Sequence, residues 1–498
     1  MRKKLGFVAA FALAVLLLVT VGALEASDED AAQQAIDGSR MAADRGAFSA
    51  GAAEDMKNLK TEAGKIGPLL HGLYLERTAP QRAEALRKSG GQLSAVSLPV
   101  EGGLVLIDAI AADNAQHLLA DLEAMGLKDG SSYGRVVSGR MPVERLGDLN
   151  AMGNLVSAAP SLNSKNVGLV TTQGDVAQAS DVARSTFGVD GSGVTVGTLS
   201  DSFDCTGAGG GAATDVGSND LPAGIVVLED LADGCTDEGR AMMQHIHDVA
   251  PGSSQAFHTA FTGTAGFANG IVALQQVAGA DIIVDDVIYF AEPMFQDGPI
   301  AQAAQFVADN GSAYFSSAGN QSFNSWETTD GFVGSGITAP FGGELHDFDP
   351  GTGVDIFQEF TLLPGSTVFS FQWDQPYASA GSLTGSASDL DVYLFVGGSF
   401  VGIGGFALNV GGDPIELFGV NYSGPPLVIQ IAIANFSGPA PGVMKYVTFG
   451  SDQRFGGGPI EYATNSATSY GHSNAANMAG VGAAAFFNTA AFNPGVCE

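Results

Sequence analysis

Three short segments of the 498-residue sequence carry side chains able to act on a bound ligand. In the first, the apolar run from Val194 to Leu199 ends in Ser200-Asp201-Ser202. A buried strand there delivers a carboxylate at its end, where α/β sheets place their ligands. In the second, Asp237-Glu238-Gly239-Arg240 opens a helix that closes in Val249-Ala250-Pro251-Gly252, so a second carboxylate sits at a helix start. In the third, Ser316-Ser317-Ala318-Gly319-Asn320 ends a strand and brings an amide into a loop. Two proton-accepting groups and one hydrogen-bond donor, each at the end of an element, form a candidate active site.

Positioning these groups requires a sheet. Gly193 to Leu199, Ile225 to Leu228, Gln255 to His258, Ile282 to Val284 and Ala313 to Ser316 read as apolar strands. Arg240 to Val249, Gly266 to Val277 and Ile300 to Asp309 read as the helices between them, so the pattern predicts an α/β fold, a mostly parallel sheet covered on both faces. Upstream, Gly103 to Ile110, Ser131 to Ser138 and Leu155 to Ala158 read as strands, with helices over Asn114 to Met125 and Val143 to Met152, a small α+β unit. Downstream, Thr367-Val368-Phe369-Ser370-Phe371 and Asp391-Val392-Tyr393-Leu394-Phe395 alternate between Gly- and Pro-rich turns and predict an all-β sandwich. Phe369, Phe371 and Trp373 fall at strand spacing and are expected in its core.

The chain opens with Arg2, Lys3 and Lys4 and an apolar run from Leu5 to Val21, the pattern of a secretory signal peptide cut after Ala23 or Ala26, with an uncleaved anchor as the alternative. A secreted (extracellular or periplasmic) location follows, with no membrane contact after cleavage. Lys plus Arg is 21 against 53 Asp plus Glu, a net charge of −32. So acidic a chain lacks the clustered cations that nucleic acid or an anionic membrane surface requires. Cys205 and Cys235 flank the Asp201 and Glu238 segments; in a secreted chain a disulfide between them is expected, the alternative being two free thiols. His245 and His247 are two residues apart and lack the spacing of helical zinc ligands. Asp389-Leu390-Asp391 with Asp374 offers hard oxygen donors for a structural Ca²⁺, although solvated turn carboxylates read as well in an acidic chain. No cofactor is required.

The three chemical segments, in this order, resemble the subtilisin-like (subtilase) serine peptidases. Asp201-Ser202 is similar to the family's catalytic Asp motif, the Glu238-Gly239-Arg240 helix with its Ala250-Pro251-Gly252 end to the catalytic His helix, and Ser317-Ala318-Gly319-Asn320 to the segment carrying the oxyanion-hole Asn. The resemblance implies a signal peptide over 1–26, a leader over 27–68 and an inhibitory propeptide over 69–165. A first part of the catalytic domain would follow over 185–340, then an inserted jelly-roll-like sandwich over 341–452 and a catalytic continuation over 453–498. It implies a monomeric endopeptidase cleaving protein or peptide substrates by acyl transfer, with its own propeptide as intramolecular inhibitor. Asp201 would orient the base, Glu238 would stand in the base position and Asn320 would donate to the oxyanion.

Two departures qualify this. Glu238 replaces the family's His, as Glu does in the related sedolisin-like peptidases, but those carry Asp where this chain has Met242 and Asn320. Asp237 or Asp286 could share a proton with Glu238, Asp237 being equally a helix N-cap. The family's Gly-Thr-Ser-x-x-Pro nucleophile has only Gly471-His472-Ser473 as a counterpart, without the Pro. Asn477 to Ala483 resembles an element that precedes the nucleophile, so the attacking serine is expected beyond Glu498, where Cys497 would find its partner; Ser473 is the alternative. Two other functions stay open: an inactive secreted binding protein of the same fold, and a sandwich-based adhesion or carbohydrate-binding protein.

Overall fold

The computed structural model describes residues 60–88, 98, 100–161, 163–165, 173–321, 325–328, 330–450 and 460–492. Residues 1–26, where a signal peptide is expected, residues 27–59 of the expected leader, and Cys497 lie outside the described residues. The chain is a mixed α/β protein, with one parallel sheet and several antiparallel ones. No helix among the described residues is long and apolar enough to cross a membrane.

Residues 60–63 are helical and lead into α1 (Gly67–Thr78) and α2 (Pro80–Lys88). An antiparallel sheet follows: β1 (Val100–Glu101), β2 (Leu104–Ala111), β3 (Lys128–Tyr133), β4 (Val136–Pro142) and β5 (Leu155–Pro160), with α3 (Ala115–Ala124) between β2 and β3. β2 pairs β4 on one side and both β1 and β5 on the other. Asn114 starts α3 by accepting the N–H groups of Gln116 and His117 on its side chain, and Leu118 and Leu122 then point into the core with Ile107, Val137 and Leu149. The single strand expected over Ser131 to Ser138 is a hairpin, because Gly134 takes a left-handed φ of 55° and turns the chain. The helix expected from Val143 is a 3₁₀ segment, Val143–Ala151.

The parallel sheet comprises β7 (Thr195–Ser200), β8 (Val226–Glu229), β9 (Ser254–Thr259), β10 (Ile282–Asp285), β12 (Ala313–Ser317) and β23 (Met478–Val481). Its spatial order is β8-β9-β7-β10-β12-β23, every pairing parallel. Three helices cover it: α4 (Glu238–Val249), α5 (Gly263–Gln276) and α6 (Pro299–Asp309). Phe267, Ile271 and Leu274 of α5 and Ile300, Ala304 and Val307 of α6 pack on Leu199, Ile283 and Tyr314, while Met243 of α4 packs with Phe203 and Phe257. Burial on both faces explains why the strands read as continuous apolar runs.

Ten strands build two antiparallel sheets. One runs in the spatial order β13 (Ser325–Thr328), β22 (Met444–Gly450), β17 (Gly365–Trp373), β20 (Ile415–Tyr422). The other holds β14 (Gly334–Thr338), β15 (Glu344–His346), β16 (Gln358–Leu362), β18 (Asp389–Val396), β19 (Ser399–Gly405) and β21 (Leu427–Ser437), with β21 pairing β15, β16 and β18. Phe369, Phe371 and Trp373 are buried between them with Phe360, Phe418 and Tyr446. The sandwich takes up β13 and β14, which precede the boundary read at 341; Trp326 alone anchors β13 in that core, too little apolar pattern to announce a strand.

The antiparallel unit docks on the parallel one through α5. The Thr264 N–H and hydroxyl donate to the Asp108 carboxylate at 3.1 and 2.7 Å, and the Ala265 N–H donates to Ser138 Oγ at 2.9 Å. Side chains from β2 and β4 thus cap the N-terminus of a helix in the other unit. Gly263 permits the approach: a Cβ there would lie 2.5 Å from that of Ser138. The connection out of β5 runs as β6 (Asn163–Lys165), antiparallel to β11 (Val287–Tyr289) just past the end of β10.

Candidate functional site

The carboxy-terminal ends of β7, β10 and β12 are adjacent, and they carry Asp201, Asp285-Asp286 and Ser316 to Asn320. This is the edge at which doubly wound sheets bind ligands. Asp201 is fully buried and accepts the Ser202 N–H at 2.7 Å and the Glu238 N–H at 3.0 Å on one oxygen. Its other oxygen accepts the Thr236 N–H at 2.5 Å and the Thr236 hydroxyl at 2.9 Å. Asp201 thus holds the Glu238 main chain, and Ser200 Oγ donates to the Glu238 carboxylate. Ser200 is itself fully buried, which suits it to orienting Glu238 rather than meeting substrate.

Asp237 adopts a left-handed φ of 58° at the N-cap position of α4 without capping it. Its carboxylate reaches back to the first loop instead, accepting the Cys205 and Thr206 N–H groups at 2.8 and 3.1 Å and pairing with Arg240 at 3.1 Å. Burial opposes its charge, yet the Thr206 and Cys205 hydrogen bonds and the Arg240 guanidinium hold its pKa below the ordinary value. Cys205 and Cys235 form a disulfide that ties the same two loops across 30 residues. A loop of that length corresponds to about 4 kcal/mol of closure entropy. Reduction is therefore expected to raise amide exchange from Ser202 to Thr206 well above the oxidised rate; equal rates would show that Asp237 and Arg240 suffice.

Asn320 is exposed at the end of its loop, as an oxyanion donor must be. Ser473 is buried in a 3₁₀ turn, Gly471–Asn474, and its hydroxyl donates to the Tyr470 carbonyl at 3.1 Å, not to Asp201 or Glu238. Asp286 is half-buried next to β11. His258 faces the Thr259 carbonyl at 2.7 Å and Glu229 at 3.4 Å, so its ring is engaged away from Asp201.

A second constellation lies beneath this edge. His472, Asp285, Glu292 and Ser316 are all buried. The His472 Nδ1 and backbone N–H groups donate to Glu292 at 2.9 and 2.8 Å, and Nε2 lies 3.1 Å from Asp285 Oδ1 and 3.0 Å from Ser316 Oγ. Ser316 Oγ donates to the same Asp285 oxygen at 2.9 Å. Burial works against a charge on the ring, but Glu292 and then Asp285 outweigh it and hold the His472 pKa well above the ordinary value. A cationic imidazole donates from both nitrogens and has no lone pair for a proton, so this is an ion-pair girder and not a Ser-His-acid nucleophile.

In the sandwich, Asp389, Asp391 and Glu416 form a buried triad whose ligand oxygens lie within 4.8 Å of one another, a donor set fit for a hard cation. Asp374, expected among these ligands, is exposed and accepts the Gly442 N–H at 2.8 Å instead. The Lys60 ammonium sits among the three, 2.6 Å from Asp391 and 2.9 Å from Asp389. Burial pushes the Asp389 carboxyl up to about 6; Lys60 opposes this and Asp391 adds to it. The folded value lies above the ordinary one, so the fold favours protonated Asp389 and its contribution to stability falls as pH rises from about 4 to about 6. The Asp389 carboxyl ¹³C signal is expected to titrate near 6, and to move higher in Lys60→Met. Midpoints near 4 in both proteins would mean that the cluster is solvated.

Compared with known proteins, the chain matches no family model and no curated protein.

Proposed function

We propose that the protein is a secreted serine-type endopeptidase of the subtilisin-like class, held with its amino-terminal unit as intramolecular inhibitor. The observation that carries this reading is β6. An extended segment lies antiparallel on β11, with Lys165 opposite Val287 and Asn163 opposite Tyr289, at the sheet edge that holds Asp201, Glu238 and Asn320. Main-chain pairing along a strand edge recognises a peptide whatever its side chains, as an endopeptidase cleft must. A unit that occupies that edge with its own strand, and caps α5 with Asp108 and Ser138, excludes other peptides.

In the chemistry that fits, Glu238 is the base, fixed from two sides: Asp201 holds its backbone and Ser200 its carboxylate. Glu238 takes the proton of an attacking serine hydroxyl, and the Asn320 amide donates to the oxyanion that forms on the scissile carbonyl. The proton then passes to the leaving amine, and water hydrolyses the acyl intermediate by the reverse sequence.

A fluorophosphonate probe followed by peptide mapping tests this and identifies the attacking serine. Covalent labelling that disappears in Glu238→Gln supports the reading. Labelling indifferent to Glu238 would remove it from the base role. An unlabelled protein would favour the second reading, a binding protein of the same fold, to which the engagement of Ser473 with the Tyr470 carbonyl already lends weight.

A further inference from the structure

We propose that the β-sandwich is the docking receptor of the segment 60–88, and that this contact, centred on Lys60, keeps the amino-terminal unit on the body once the chain between residues 165 and 173 is cut. The proposal rests on reading that unit as an inhibitor and names what retains it.

The sandwich completes its own packing only with this segment in place. Leu75 of α1 and Ala83 of α2 are buried among Leu345, Phe357, Phe395 and Phe406. Without them that part of the sandwich core opens to water. The polar part of the socket is equally unfinished without Lys60. Asp389 and Asp391 on β18 and Glu416 on β20 are buried carboxylates, and the Lys60 ammonium is the cation at ion-pair distance from both aspartates. The Nζ also lies 4.2 Å from the centre of the Phe436 ring, and Tyr393 donates its hydroxyl to Asp391 at 2.9 Å. Such a socket selects a compact point charge on a flexible stem, which is what lysine offers.

The remaining contacts explain why this one governs retention. Residues 60–88 belong to the same packed body as the antiparallel sheet, since Ile66 and Leu70 share its core. That body holds the α/β unit by the Asp108 and Ser138 cap, by Asn269 donating to Ser131 Oγ and by β6, and the sandwich by Lys60, Leu75, Ala83 and the Arg135 guanidinium, which donates to the Ser382 carbonyl. Attachments on one rigid unit act with high effective concentration, so losing the strongest releases the whole disproportionately. The junction is not packed solid: a cavity of about 140 Å³ lies where Ile66 and Pro160, Pro293, and Leu408 and Leu417 meet. An interface of this kind can separate, unlike the continuous core of one domain.

The test uses the full chain with a specific protease site placed within 166–172. After cleavage, dissociation of the amino-terminal fragment is followed by surface capture, and access to β11 by binding of a labelled peptide with the sequence of residues 157–165. Wild type is expected to keep its fragment. Lys60→Met leaves two buried aspartates facing a methyl group, and its fragment is expected to leave on the order of a hundredfold faster. Lys60→Met combined with Asp389→Asn and Asp391→Asn removes the uncompensated charge and is expected to restore most of the retention, a rescue that a general folding defect would not show. If Lys60→Met does not fold before cleavage, Asp391→Asn alone carries the test through a smaller acceleration. Fragment retention unchanged in Lys60→Met and in Asp391→Asn, or a triple variant as poor as Lys60→Met, overturns the proposal. A fragment that leaves without freeing β11 for the peptide counts against the inhibitor reading and leaves the docking intact.

Discussion

His472→Ala is expected to lower the stability of the α/β unit by about 3–5 kcal/mol at neutral pH, the cost of breaking a buried ion pair by removing one partner. The ring is 1 % exposed and stands between Glu292 and Asp285, so the variant leaves two buried carboxylates with no cation. The pH dependence separates this from a simple cavity. The folded pKa is raised above the ordinary 6.5, so the stabilisation is fully present below 6.5 and is lost as pH rises through the folded value. Urea unfolding of both proteins at acidic, neutral and alkaline pH should therefore give a difference that is largest in acid and shrinks in alkali. A constant difference would mean that His472 acts by packing alone, through its edge contacts with Phe267 and Tyr314. His472→Gln keeps most of the volume and one donor, and is expected to lose less.

That effect reaches the candidate site because of where the partners sit. Asp285 ends β10 two residues before β11, and its Oδ1 accepts the Val287 N–H at 3.2 Å. Glu292 accepts the Tyr289 N–H at 3.3 Å, at the other end of the strand that holds β6. Ser316 lies four residues before Asn320. One cation thus fixes both ends of β11 and the root of the loop that carries Asn320. His472→Ala should weaken peptide binding at β11 even under conditions where the protein stays folded.

None of this was legible in the sequence, and the reason is distance along the chain. His472 is 180 residues from Glu292 and 187 from Asp285, so no local spacing marks the trio. Lys60 and Asp391 are 331 apart. What could be read was what periodicity encodes: the strands β7, β9, β10 and β12 as unbroken apolar runs, α4, α5 and α6 as faces of period 3.6, and a carboxylate at the end of β7. Asp237 shows the boundary between the two kinds of information. Its type suits an N-cap, and its position is one, but a left-handed backbone turns its carboxylate toward Thr206 and Arg240. Composition does not reveal which way a side chain faces when two loops compete for it.

Asp201→Asn is the substitution expected to cost most function. The side chain keeps its shape, but one oxygen becomes an NH₂ group facing donors that Asp201 now satisfies, either Thr236 or the Ser202 and Glu238 N–H groups. Hydrogen bonds to a charged acceptor contribute about 1.5–3 kcal/mol each, and an unsatisfied buried donor adds its own desolvation. The turn from Thr236 to Glu238 must then shift, and Glu238 departs from Ser200. If the proposed chemistry is right, peptide cleavage should fall by about 10²–10⁴-fold, the range a positioned general base contributes. A purely structural Asp201 would predict something different: fewer folded molecules, each with normal turnover. Measuring kcat per fluorophosphonate-titrated site distinguishes these, and normal turnover in the folded fraction of Asp201→Asn would remove the residue from the mechanism. Ser200→Ala supplies the complementary measurement. It removes the Ser200 hydrogen bond from the Glu238 carboxylate without disturbing the turn, so kcat should drop while stability changes by no more than about 1–3 kcal/mol. Agreement of the two variants would place the essential geometry at Glu238, with Asp201 acting on it through the main chain.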